Sequence, residues 1–132
     1  MSGTEETRTV HGEIILPSAD IPTQIADLVV QVENVSRADA PSVVIGEQRQ
    51  SSISLPSGAA LPFAVEVPAE LVDERDSYSV RVHIDVSASG EVEVGDLVST
   101  QSYPVLTRRH SNEARIHVQR VLHPGSYVRT LR

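Results

Sequence analysis

Residues 78–86 run Tyr-Ser-Val-Arg-Val-His-Ile-Asp-Val, an unbroken alternation of apolar and polar positions. Side chains on a strand project to opposite faces with period 2, so Tyr78, Val80, Val82, Ile84 and Val86 share a dry face. Ser79, Arg81, His83 and Asp85 share a wet one. Shorter versions of the pattern recur. Thr7–Leu16 places Val10, Gly12 and Ile14 on one side. Asp27–Val35 turns Leu28, Val30 and Val32 inward. Ser42–Gln50 is a third strand around Val43, Val44 and Ile45, and Ser51–Leu55 is ambiguous, readable as a separate short edge strand. Leu61–Val67 alternates through Leu61, Phe63, Val65 and Val67, and Pro62 inside it marks a strand start or an edge. Glu91–Leu97 pairs back on the Tyr78 strand as a hairpin across Ser87–Gly90, with Val92 and Val94 apolar. Ser102–Thr107 is a further short strand. Glu113–Leu122 is the last, with Ala114, Ile116 and Val118 opposite Arg115, His117 and Gln119.

Turn residues punctuate these runs at Pro17–Pro22, Ser36–Pro41, Pro56–Gly58 and His123–Gly125. One helical turn is predicted near residues 68–75, where Pro68 suits a first helical position and Glu70 and Asp73 suit the N-terminal dipole. The expected fold is therefore all-β: a single-domain β-sandwich of seven to eight short, mostly antiparallel strands, Ig-like or transthyretin-like. A closed barrel is the alternative. Tyr78 stands where a sandwich places a tyrosine corner, and a buried Tyr there requires a partner for its hydroxyl. The expected organisation is a flexible segment at 1–6, the β-domain at 7–122 and a basic tail at 123–132.

The order of several pieces resembles a known family. Val30-Gln-Val32 leads into Val35-Ser-Arg-Ala-Asp-Ala-Pro-Ser42 and then Val44-Ile45. Pro62-Phe63 follows about twenty residues later. The Tyr78–Gly90 strand and turn precede Tyr103-Pro-Val-Leu-Thr107. This sequence is similar to the YbaY-like lipoproteins and the YscW-type lipoprotein chaperones, the pilotins of type III secretion, over about residues 10–121. The resemblance implies a small β-sandwich without catalytic residues. It also implies a polypeptide-binding role, the pilotin members assisting the outer-membrane placement of a secretin.

Composition narrows the chemistry. The chain has no cysteine, which removes disulfides, thiolate nucleophiles and a lipid-bearing Cys. It has no apolar run long enough to span a bilayer and no leader-like start, so membrane insertion is not expected and the expected location is cytoplasmic. Aromatic residues are scarce, so Val, Ile and Leu must build the core. Net charge is −7, which argues against nucleic acid as a partner. The charge is uneven. Residues 1–106 carry 17 acids and 5 Arg, whereas 107–132 carry 6 Arg and 1 Glu.

Candidate chemistry is thin. His11 with Glu13, and His83 with Asp85, lie two apart on strand faces, and His117 faces outward on the last strand; a metal would need three such ligands to converge. Solvent-facing polar positions explain them more simply, so no metal and no cofactor are expected. No G-x-S-x-G elbow, P-loop or G-x-G-x-x-G is present, and Glu91 and Glu93 read as a solvated hairpin rather than a glycosidase pair. No catalytic set can be named, and the chain is expected not to be an enzyme. The expected function is a non-enzymatic protein- or peptide-binding module. The alternative is a small-ligand or carbohydrate-binding β-sandwich. The candidate interaction segment is Tyr127, Val128, Arg129 and Leu131, with the partner a protein, a peptide or a second copy of the chain.

Overall fold

A computed structural model describes residues 6–17, 26–37, 39–53, 60–86 and 90–122. Eight strands are present: β1 (Thr7–Ile15), β2 (Ala26–Asn34), β3 (Val43–Ile53), β4 (Ala60–Pro68), β5 (Tyr78–Asp85), β6 (Leu97–Ser99), β7 (Pro104–Val105) and β8 (Glu113–Arg120). The predicted helical turn is a single 3₁₀ turn, Ala69–Leu71.

The strands form one sheet in the order β3-β2-β5-β6-β8-β1-β4, with β7 also on β5. Most pairs are antiparallel. The exception is β1 with β8, which run parallel from His11↔Glu113 to Ile15↔His117. Further along, β8 turns its other half to β6, from Ser99↔Val118 to Leu97↔Arg120. One strand thereby joins what would be two sheets of a sandwich, and the result is a nearly closed barrel. The Ig-type sandwich expectation is corrected on this point.

The end strands β3 and β4 meet at a seam. A Cβ on Gly46 would lie 2.9 Å from a Val67 methyl and 3.1 Å from the Glu66 carbonyl, so the missing side chain is what permits the approach. The amide of Ala64 donates to Gln48 Oε1 at 2.9 Å, a side-chain bond where a closed barrel would have a ladder. Donors alternate direction along a strand. If Ala64 points to the seam, so do Pro62, Glu66 and Pro68, while Ala69 donates the other way to Glu6. Two of the four seam positions on β4 are thus prolines with no donor, which blunts that edge.

At the opposite side, β1 and β8 pack as closely as backbones can. A Cβ on Gly12 would sit 1.8 Å from the Ala114 carbonyl oxygen. The interior is aliphatic, as the alternation demands: Val10, Ile14, Leu28, Val30, Val32, Val65, Val67, Val80, Ile84, Leu97 and Ile116 are all buried. Each contributes about 1.5–3 kcal/mol by leaving water.

Three predicted segments differ from the structure. Val43 and Val44 are exposed, because β3 opposes Leu28, Val30 and Val32 with Gln50, Gln48 and Gly46. Of the three expected core residues only Ile45 packs against the core, and the middle of the inner face is polar or bare, so apolar residues marked that face poorly. Glu91–Leu97 forms no hairpin strand; residues 90–96 are a loop, and β6 begins where that segment was expected to end. The 102–107 strand shrinks to two residues. Along this flank of β5 the ladder is assembled from pieces. β6 pairs His83 and Ile84, Ser99 Oγ accepts from Val82, the Tyr103 carbonyl accepts from Val80, and β7 pairs Tyr78 and Ser79. The expected turns at 18–22, 56–58 and 123–125, and the tail residues Tyr127, Val128, Arg129 and Leu131, lie outside the described residues.

Candidate functional site: a polar groove on the outer face of β2, β3 and β5

The register that buries Leu28, Val30 and Val32 turns Asp27, Val29, Gln31 and Glu33 outward on β2. Opposite them on β5 stand Asp85, His83, Arg81 and Ser79. On β3, Arg49 and Glu47 oppose Val29 and Gln31. This polar face is not simply wet. Residues 90–96 fold over one end of it and make a groove of about 380 Å³. Its walls are Asp27, Val29, Gln31, Arg49, Arg81, His83, Asp85, Gly90 and Val92.

Asp96 fastens that loop. It is fully buried, and its Oδ1 accepts the Val86 amide at 2.9 Å. Its Oδ2 accepts the Glu93 amide at 3.0 Å and lies 2.8 Å from His83 Nε2. Asp85 Oδ2 takes the Gly90 amide at 2.8 Å. A buried carboxylate requires this many donors to be tolerated. His83, Asp85 and Asp96 bring ligand-type atoms within 4.8 Å of one another. The pair His83 and Asp85 was expected on one strand face, and it is there. The third member, Asp96, was missed because it fell in a segment read as strand; an Asp just after Gly is equally the mark of a side chain that caps its own turn. With both Asp96 oxygens and one of Asp85 already accepting backbone amides, the cluster works as a loop clamp. His11, Glu13 and His117 lie on β1 and β8, and β8 is two strands and β1 three strands from β5 in the sheet order.

The remaining charges of the face come in pairs. Arg81 Nη1 lies 3.8 Å from Glu33 Oε2, with both side chains largely buried. Arg49 Nε meets Glu47 Oε2 at 2.5 Å, and Gln31 Nε2 donates to Glu47 Oε1 at 2.8 Å. The Gln31 hydrogen bond, followed by the Arg49 contact, holds the Glu47 carboxyl below its ordinary range. Glu33 and Arg49 were not singled out in the sequence, since nothing local marks which outward charges will meet across strands.

At the opposite end, Tyr78 is a tyrosine corner. Its ring is buried, its hydroxyl donates to the Leu71 carbonyl at 3.2 Å, and it accepts the Asp73 amide at 2.8 Å. This ties the 3₁₀ turn to the barrel and has no part in the groove. The exposed apolar side chains Val43, Val44, Leu71, Val94 and Leu122 belong to four separate segments.

Comparison with known proteins places this geometry. Residues 5–118 match the family described as "Type III secretion system lipoprotein chaperone (YscW)". Among solved structures, the chain is similar to an alternative pilotin from the type II secretion system of Vibrio cholerae. The TM-score is 0.69 at 21% identity, covering 86% of this chain and 96% of that one, a likeness of fold. No curated protein matches the chain. The expected cytoplasmic location is overturned by the family match: the family is one of lipoproteins of secretion systems, associated with the outer membrane. The absence of cysteine from these residues was not a guide to location.

Proposed function

The chain belongs to the YscW family of type III secretion lipoprotein chaperones, and from that premise we propose that it is a non-enzymatic chaperone that holds a polypeptide segment of a secretion-system protein in the groove on β2, β3 and β5. The observation that carries this reading is the groove itself. Val29 and Val92 offer apolar footing among the polar walls Asp27, Gln31, Arg49, Arg81 and His83, which can meet backbone and side-chain groups of a guest. Its walls set two carboxylates, Asp27 and Asp85, against two guanidiniums, Arg49 and Arg81, so the guest segment is one of mixed charge. The guest protein is a secretin, as the pilotin role implies. The barrel seam serves the reading less well, because prolines and Gln48 already occupy β4's outer edge.

The test is titration of the protein with overlapping peptides that span a secretin from the same organism. One or more of these peptides should bind, and Val29→Asp with Val92→Asp should weaken that binding at least about tenfold, the ordinary effect of losing apolar anchors at an interface centre. Unchanged binding by a variant with an unchanged melting temperature would overturn the assignment to this groove.

The polar lining supports a second reading, a small polar ligand, since about 380 Å³ falls within the usual size of such sites. A thermal-shift screen with sugars and small cationic metabolites separates the two: a stabilising small molecule whose effect Val29→Asp removes favours this second reading.

A further inference from the structure

We infer that a cleft at the Tyr78 end of the barrel, beside the loop of residues 106–110, binds a phosphate group. Its polar walls are Ser36, Ser77, Ser102, Thr107, Arg108 and His110, and no carboxylate lines it. None of these residues belongs to the groove on β2, β3 and β5. The cleft is therefore independent of the chaperone reading.

The loop that supplies its cations is built against backbone preference. The Val105 carbonyl takes the Thr107 amide at 2.8 Å, around Leu106 at φ 75°. That is a γ-turn of the rare, strained hand. The Thr107 carbonyl then takes the His110 amide at 3.0 Å, around Arg108 at φ 60° and Arg109 at φ 70°. Two left-handed residues inside such a bond make a type I′ turn, whose central positions favour Asn and Gly. Arginine has no backbone advantage there, and strain of this kind persists only where the surroundings hold it. Thr107 Oγ1 holds it by donating to the Asp76 carbonyl, and Arg8 Nη2 by donating to the Leu106 carbonyl at 3.0 Å. The outcome is two guanidiniums and an imidazole at successive positions, with Arg108 and His110 in the cleft wall.

Donors are left over in the cleft. Arg108 commits Nη2 to the Arg75 carbonyl. Its other N–H groups, the His110 ring and the Ser77 hydroxyl have no partner among the described residues. The Ser36 hydroxyl accepts the Ser77 amide at 2.8 Å but reaches the Ser77 carbonyl only at 3.5 Å, so its proton is free for a better acceptor. Neighbouring acids are engaged elsewhere. Asp76 takes the Asn34 side-chain amide at 2.9 Å, Asp73 pairs with Arg75, and Glu74 pairs with Arg8. A planar guanidinium flanked by hydroxyls and an imidazole suits the oxygens of a phosphate, which it meets through charge-assisted hydrogen bonds. At about 200 Å³ the cleft is smaller than a drug-sized site and accommodates one such group. A soluble phosphate ester and a phospholipid headgroup both present these oxygens.

The experiment adds glycerol 3-phosphate, or vesicles of phosphatidylglycerol, to the full chain at about 0.15 M salt, where charges more than about 8 Å apart are screened. The ester should move the amides of Ser77, Thr107 and His110 with a dissociation constant on the order of 1 mM, and leave those of Val29 and His83 in place. Arg108→Asn with Arg109→Gly gives the turn the residues it prefers. Its melting temperature should rise by about 2–4 °C, while phosphate binding weakens at least about tenfold. Ser77→Ala should weaken binding about threefold, the loss of one hydrogen bond, and melt with the parent. Shifts from the ester identify a soluble phosphate as sufficient. Capture by phosphatidylglycerol vesicles without those shifts assigns the site to a headgroup, provided that the double variant abolishes capture. No response to either probe, or a response that the double variant retains, would overturn the inference. So would equal capture by phosphatidylcholine vesicles. A double variant that loses stability along with binding would overturn it too, because Arg108 would then serve only to brace the loop through Arg75.

Discussion

At the scale of single residues, buried polar groups are the positions where one atom decides most. Asp96 serves three donors from inside the protein. Asp96→Ala strands the Val86 and Glu93 amides at once, and each unsatisfied buried group costs about 1–3 kcal/mol. Urea unfolding should show a loss of roughly 2–4 kcal/mol, within the range of large single-site effects, and amides of residues 90–96 should lose their exchange protection. A variant as stable as the parent would refute the clamp. Tyr78→Phe deletes only the hydroxyl that links Leu71 and Asp73, so about 1–2 kcal/mol should be lost with the barrel intact. Asp73 offers a check on electrostatics. Hydrogen bonds and charge from Arg75 lower its pKa from 3.8 to about 2. A depressed carboxylate pKa stabilises the fold above the unfolded value and ceases to do so as pH falls from 3.8 toward 2. The pair is solvent-exposed, so its effect on stability is small. The direct readout is an NMR titration of the Asp73 side chain with a midpoint near 2, returning toward 3.8 in Arg75→Ala. A midpoint of 3.8 in the parent would disprove the contact.

At the scale of elements, strands with their own alternation were legible and strands defined by partners were not. β1, β2, β4, β5 and β8 each carry an apolar face that the sequence displays, and each lies within two residues of its expected bounds. β6 and β7 are short because β5's flank is completed by a Ser99 hydroxyl and a Tyr103 carbonyl, contacts between residues far apart in the chain. β3 misled through its inner positions, where Gly46, Gln48 and Gln50 face valines and leucine across the ladder. The groove was half legible for the same reason. His83 and Asp85 announce a shared face by spacing, but Asp96, Glu33 and Arg49 arrive by folding. The seam makes this testable. Gln48→Ala removes the acceptor of the Ala64 amide, and hydrogen exchange at Ala64 should quicken roughly threefold to tenfold, the equivalent of one net hydrogen bond. Exchange that stays unchanged would mean that the seam closes without Gln48.

At the scale of the whole molecule, closure of the barrel depends on its last strand. β8 lies in the interior of the sheet order, with β1 parallel on one side and β6 antiparallel on the other. It is the only described element that connects the β4-β1 half to the β6-β5-β2-β3 half by a backbone ladder. Ile116 and Val118 fill the core from it, and Gly12 exists to let it approach. A chain that stops at Asn112 would expose the ladder groups of both neighbours and lose the buried side chains Ile116, Val118 and Val121, a loss comparable with the whole of the roughly 5–15 kcal/mol by which domains of this kind are stable. Such a chain should show no cooperative unfolding transition, whereas Leu71→Ala, at an exposed position, should melt with the parent. Gly12→Val places side-chain atoms where the Ala114 carbonyl stands and should approach the truncation in severity, because a fault at the parallel pair cannot be relieved without separating the two halves. Calorimetry of the three variants would decide the matter. A truncated chain that still melts in one sharp transition would show that the two halves cohere through their side chains alone, and that the barrel is in energetic terms the sandwich its alternation first suggested.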